Sequence, residues 1–179
     1  MITNNEELSD QSTYQRLIGK LIYLTMTRPD ISFSVQNLSQ FLQRPKESHM
    51  EATIRIVRYL KNQPGQGILL SSKENSTITD YCDADWAACP LTRKSVSSYL
   101  VKMGESLITW KAKKQTTVSR SSAEAEYRSL ANTVTELVWI LGLLKEIGRE
   151  VATPVKIYSD SKAALQIVAI QFTTRELNT

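Results

Sequence analysis

The hydrophobic period of this chain changes once, near Gly67, and that change limits what the chain can fold into. Upstream, apolar residues recur at helical spacing; downstream, short stretches alternate in the manner of strands. From Tyr14, the residues Leu17, Leu21 and Leu24 form one stripe, widened by Ile18 and Ile22. Arg28-Pro29-Asp30 interrupts it, because a residue before proline avoids helical torsions. A second helix follows, with Ile31, Val35, Leu38 and Leu42 on one face and Pro45 ending it. The third runs from about Ser48 to Asn62, burying Met50, Ile54, Val57 and Leu60 opposite Arg55, Arg58 and Lys61. Residues 1–13 read as a polar tail and 14–66 as one small helical unit closed by Pro64-Gly65.

Beyond the switch, Gly67 to Ser71 and Ser76 to Ala87 read as strands. Ser95 to Met103 and Ser106 to Lys111 form a hairpin that turns at Gly104-Glu105. The basic link KAKKQTTVSR leads into a long helix from about Ser122 to Ile147. A strand at Val155 to Ser159 and a helix from Ser161 to Ile170 follow. The order β-β-β-α-β-α implies an antiparallel meander and a right-handed crossover to a parallel strand. Residues 67–179 are thus expected to form an α/β domain around a mixed sheet.

The rare residues narrow the chemistry. Of 179 residues, two are cysteine (Cys82 and Cys89) and one is histidine, His49. That set cannot build a four-ligand zinc site or a disulfide framework, and any histidine-based triad would have to use His49. Hydrolysis, if the chain performs it, therefore runs on carboxylates and the metal ions they hold. The longest apolar run, Leu137 to Leu144, is far short of a membrane span. The acidic start MITNNEELSD does not resemble a signal peptide, so an intracellular location is expected, with cytoplasm and nucleus not distinguished. A net charge of +4 permits a nucleic-acid partner without requiring one.

Three carboxylate positions suit a divalent-metal site. Asp83 and Asp85 share the strand face of Tyr81, and alternation cannot choose between them. Asp160 ends a strand, where ligands collect in open α/β sheets, although a lone Asp at such a junction, as in Asp160-Ser161, is more often the cap of the next helix. On the long helix, Ser121-x-x-Glu124 reads as a capping box, which gives Glu124 a structural task. A stripe through Ala123, Tyr127, Leu130, Val134, Leu137, Leu141 and Leu144 places Glu126 about 60° from its centre, at the border of the buried face. Lys111, Lys113, Lys114 and Arg120 lie in the basic link ahead of that helix and are candidates for holding a phosphate backbone. Trp86, Trp110 and Trp139 read as core residues rather than base-stacking platforms.

Several phrases together resemble one family. LIGKLIYLTMTRPDISFSV, HMEATIRIVRYLK, YCDADWA, SLITWKAKKQTTVSRSSAEAEYRSLA, ELVWILGLLKEIG and IYSDSKAAL closely resemble the C-terminal part of copia-type LTR retrotransposon Pol polyproteins. The likeness covers about residues 14 to 168. It implies that the helical unit is the thumb-like end of a reverse transcriptase, followed by a ribonuclease H-like domain that cuts RNA in RNA–DNA hybrids. It selects Asp83 over Asp85, matches Glu126 to the second Glu of AEAE, and matches Asp160 to the Asp of YSDS. Mg²⁺ (or Mn²⁺) is the implied cofactor. An RNA–DNA hybrid or other nucleic acid and the rest of the Pol polyprotein are the implied partners, with no membrane involved.

The chain also departs from that pattern. The family's fourth carboxylate, in a LADIFTK-like phrase, and its HERTKHI-like phrase are not found after AALQIV. Ser98 stands where Gly is usual, and Lys102 where an apolar residue is usual. The expectation is a ribonuclease H-like domain incomplete at its C-terminus with impaired hydrolysis. The alternative is a non-catalytic nucleic-acid-binding relic of the polyprotein.

Overall fold

A computed structural model describes residues 6–168, which fall into two compact units divided between Ile68 and Leu69. The first unit is helical. Its helix α1 spans Gln11–Leu24, starting ahead of the sequence expectation because the Asp10 side chain accepts from the Thr13 N–H at 3.0 Å and caps it. Leu8 packs on the core, so the preceding residues are not all a loose tail. After a short 3-10 turn at Pro29–Ile31 come α2 (Ser32–Ser39) and α3 (Glu47–Asn62). Tyr14, Ile18, Leu21, Ile31, Val35, Leu38 and Ile56 form the core. Helix α3 turns Thr53 and Ile56 inward, not Ile54 and Val57, which stay partly exposed. Counting only apolar residues rotated that face, since Thr53 is fully buried and donates to the His49 carbonyl. His49 itself accepts from the Lys46 N–H and stacks on Phe41, a capping role rather than a catalytic one.

The second unit is a four-stranded mixed sheet with the order β3-β2-β1-β4. Strands β1 (Thr77–Asp85), β2 (Val96–Met103) and β3 (Ser106–Lys114) form an antiparallel meander. Helix α4 (Ser122–Glu146) then crosses one face to β4 (Ala152–Tyr158), which pairs parallel with β1. This is the expected α/β mixed sheet, and its strand order is compatible with a ribonuclease H-like fold. Residues 162–168 are helical; the rest of the helix expected to reach Ile170 lies outside the described residues.

Alternation along β1 sends Ile78, Asp80, Cys82 and Ala84 toward α4, while Tyr81, Asp83 and Asp85 face the other side. Ile78 and Val101 pack beneath Leu137 and Ile140, with Val155 and Ile157 of β4 beside them. The strand expected at Gly67 to Ser71 does not form, and Leu69 and Leu70 are exposed. Strand β3 runs three residues past its expected end, carrying Lys111, Lys113 and Lys114 in a ladder with β2 instead of in a link. Lys102 lies opposite Thr79 on the face away from α4 and is not buried, so its ammonium group keeps its water. Among the described residues, no helix is long and apolar enough to cross a membrane.

Candidate metal centre

Parallel pairing of β1 with β4 sets the geometry of the site. Tyr81 pairs with Tyr158, and the two rings stack with centroids 5.2 Å apart. Two residues further along the chain come Asp83, still in β1, and Asp160, just past the end of β4, so both carboxylates emerge at the same end of the sheet. Helix α4 begins over that end. One oxygen each from Asp83, Glu126 and Asp160 lies within 4.8 Å of the others. Oxygens bound to one Mg²⁺ at about 2.1 Å are at most about 4.2 Å apart, so side-chain adjustment alone closes the set around an ion. Asp85, on the same face of β1, and Glu124, on α4, are not members of this cluster.

Glu124 is occupied at the helix start. Its backbone N–H donates to Ser121 Oγ, and its carboxylate accepts from the Arg120 N–H and from the Arg128 guanidinium. The capping box is therefore shifted, with Glu124 reaching the residue before the cap. Glu126 sits near the middle of the buried face, not at its border, because Ser129 and Thr133 are the small residues beneath α4. Val134, placed in the stripe by hydrophobicity, is 41 % exposed. Burial and the neighbouring Asp83 push the Glu126 carboxyl up to about 7, with Asp160 adding to the effect and the Ala84 N–H opposing it. Its Oε2 is buried without a hydrogen-bond partner. An all-oxygen donor set with one unsatisfied buried oxygen and mutual repulsion fits a hard divalent cation.

Polar residues not singled out from the sequence hold the helix in place. Ser129 Oγ donates to the Asp83 carbonyl at 2.7 Å, and its i,i+3 spacing from Glu126 was the available signal. The Gln115 amide donates to Ser97 Oγ and to the Ala125 carbonyl, both at 2.9 Å, and its oxygen accepts from Ser119 Oγ at 2.8 Å. This buried network fixes the loop that leads into α4. Nothing in the local pattern of KKQTTVS distinguishes that glutamine.

The expected basic residues divide. Lys111, Lys113 and Lys114 line a groove between β3 and α4, whereas the exposed Arg120 does not line it. Two of the three tryptophans depart from the core reading, while Trp110 is half-buried. Trp139 is 63 % exposed, and Trp86 is half exposed with its indole N–H donating to the Ser119 carbonyl.

No protein-family model matches the chain, and no solved structure matches it. Among curated proteins it is similar to "Retrovirus-related Pol polyprotein from transposon RE1" of Arabidopsis thaliana, at 44 % identity over 91 % of this chain and 11 % of that protein. The polyprotein from transposon RE2 of the same plant is 42 % identical over 91 % of the chain. That from transposon TNT 1-94 of Nicotiana tabacum is 34 % identical over 86 % of the chain and 12 % of its own length. The chain thus spans about a tenth of these relatives. It belongs to the family of copia-type, retrovirus-related Pol polyproteins from transposons.

Proposed function

We propose that residues 69–179 are the ribonuclease H-type part of a Pol polyprotein, acting on the RNA strand of RNA–DNA hybrids, and that the helical unit derives from the end of the reverse transcriptase. The observation that carries this is the convergence of Asp83, Glu126 and Asp160 from two parallel strands and the crossover helix. The three carboxylates would hold Mg²⁺ or Mn²⁺, which supplies Lewis-acid stabilisation of charge on a phosphoryl oxygen. Asp83 and Asp160 are exposed and available to substrate-side ligands, while Glu126 is fixed from below by helix packing. The rest of the polyprotein is the natural partner.

One feature of the cluster favours binding over rapid hydrolysis. Among the described residues Asp83, Glu126 and Asp160 are the carboxylates brought together, enough to hold one cation, and Mg²⁺ gives up its waters reluctantly. Each tenfold loss of rate is about 1.4 kcal/mol of transition-state stabilisation, and losing half of a two-ion clamp costs several such factors. The 179-residue chain is therefore expected to bind Mg²⁺ at millimolar concentration and to cleave a labelled RNA–DNA hybrid near background. Calorimetric Mg²⁺ titration and a gel cleavage assay check both. Loss of Mg²⁺ binding in Asp83→Asn and Glu126→Gln supports the centre; unchanged binding in both refutes it. Robust metal-dependent cleavage would restore full enzymatic competence.

A further inference from the structure

Helix α4 packs closely on β1 and β2 and leaves the sheet open toward the edge strand β3. Leu137 and Ile140 pack on Val101 and Ile78. Nearer the start of α4, a groove of about 400 Å³ remains open between the helix and strands β2 and β3. Ser97 and Tyr99 form part of its lining from β2, and Lys111 and Lys113 border it from the edge strand β3. Tyr127, Arg128 and Asn132 line it from α4. Lys111 and Lys113 are exposed and form no ion pair among the described residues. Arg128 is bound to Glu124, and Glu136 is the one acidic residue in the lining, so the lysines give the groove its sign.

Lysines on an edge strand commonly serve to discourage pairing with other chains. Here register assigns Lys111 to Tyr99 and Lys113 to Ser97, on the face covered by α4, so both point into the space beneath the helix. Their separation along β3 is about 6.8 Å, two residues of strand. A separation of that size lets the two ammonium groups reach neighbouring phosphates of one strand. Asn132 adds an exposed amide to the lining, able to donate to a phosphate or sugar oxygen held by the lysines. The groove is separate from the metal centre: Tyr127 follows Glu126 directly but is turned by about 100° around α4.

We infer that this groove is a phosphodiester-backbone subsite, in which Lys111 and Lys113 hold two phosphates of a nucleic-acid strand while the carboxylate centre engages the duplex further along. The inference rests on the proposed ribonuclease H-type reading for the identity of its ligand. Binding of a fluorescein-labelled RNA–DNA hybrid to the full chain, followed by anisotropy in EDTA from about 50 to 200 mM salt, removes the metal contribution. Lys111→Ala with Lys113→Ala should weaken binding about tenfold and lower the slope of log K against log salt by about two. Asn132→Asp, at an exposed position, should weaken binding several-fold without changing the melting temperature, and Lys73→Ala should have no effect. An unmodified chain that does not bind the hybrid, or affinity and slope unchanged in these groove variants, overturns the inference. Displacement of the hybrid by polyglutamate as effective as by unlabelled hybrid also overturns it, by indicating an acidic-peptide surface. Failure of the metal centre appears separately, as Mg²⁺ binding unaffected by Asp83→Asn.

Discussion

Asp80 occupies a position that the strand pattern reserves for an apolar residue. It lies between Ile78 and Cys82 on the face under α4, opposite Val101 and Ile157, with no exposure and neither oxygen hydrogen-bonded. Burial pushes its carboxyl up to about 7 from 3.8. A folded-state pKa above the unfolded value means the native chain binds the proton more tightly. Stability is thus least penalised below about pH 4 and falls as pH rises toward 7, by about 1.4 kcal/mol for each tenfold drop in proton concentration. Asp80→Val should raise the melting temperature at about pH 7.5 and flatten this dependence, measured by circular dichroism from about pH 4 to 8. Gly104 gives a second residue-scale prediction. Its φ is +58°, and an added Cβ would stand 2.7 Å from Asn75 Cβ. Gly104→Ala should destabilise the hairpin by at least about 1 kcal/mol, read from the urea midpoint. Alternation in ITDYCDAD puts Asp80 on the opposite face from Asp83 and Asp85. It could not reveal which face the helix covers, because both faces carry acids and Tyr81 sits with the exposed set.

At the level of elements, the hairpin at Gly104-Glu105, the meander and the parallel return were legible because turn chemistry and period survive in a single sequence. The seat of α4 was legible only in part. A hydrophobic stripe ignores Ser129 and Thr133, yet small residues let a helix approach a sheet closely, and that rotation brings Glu126 inward. The length of β3 was hidden for the opposite reason: lysines look like a loop until a neighbouring strand pairs with them. Least legible was Gln115, whose role comes from Ser97, Ser119 and the Ala125 carbonyl. Gln115→Ala leaves these groups unpaired in a buried site and should cost about 1–3 kcal/mol. If the network positions the start of α4, Mg²⁺ affinity should fall as well, under conditions where calorimetry shows the variant folded. Gln115→Glu should restore less than the native amide, since a carboxylate cannot donate to the Ala125 carbonyl.

On the scale of the whole molecule, each unit has its own core. Residues 61–67 are exposed, as are Leu69 and Leu70, so limited trypsin digestion should cut at Lys61 or Lys73 before it reaches Lys102 inside β2. Mass spectrometry of the early fragments checks this. Among the described residues β4 pairs on one side only, and such an edge templates association. Sedimentation velocity should show concentration-dependent self-association of the chain, and a monodisperse monomer at high concentration would contradict it.

The pairing of β1 with β4 also has a temporal meaning. The two aspartates of the centre belong to strands that are adjacent in space and separated along the chain by the whole meander and the crossover helix. Closing so long a loop is entropically slow compared with forming the local hairpin. On a ribosome, the helical unit and the meander emerge before the strand that delivers Asp160. The carboxylate cluster therefore assembles after the meander, and the onset of the proposed Mg²⁺ binding during refolding should act as a clock for the pairing of β4 with β1.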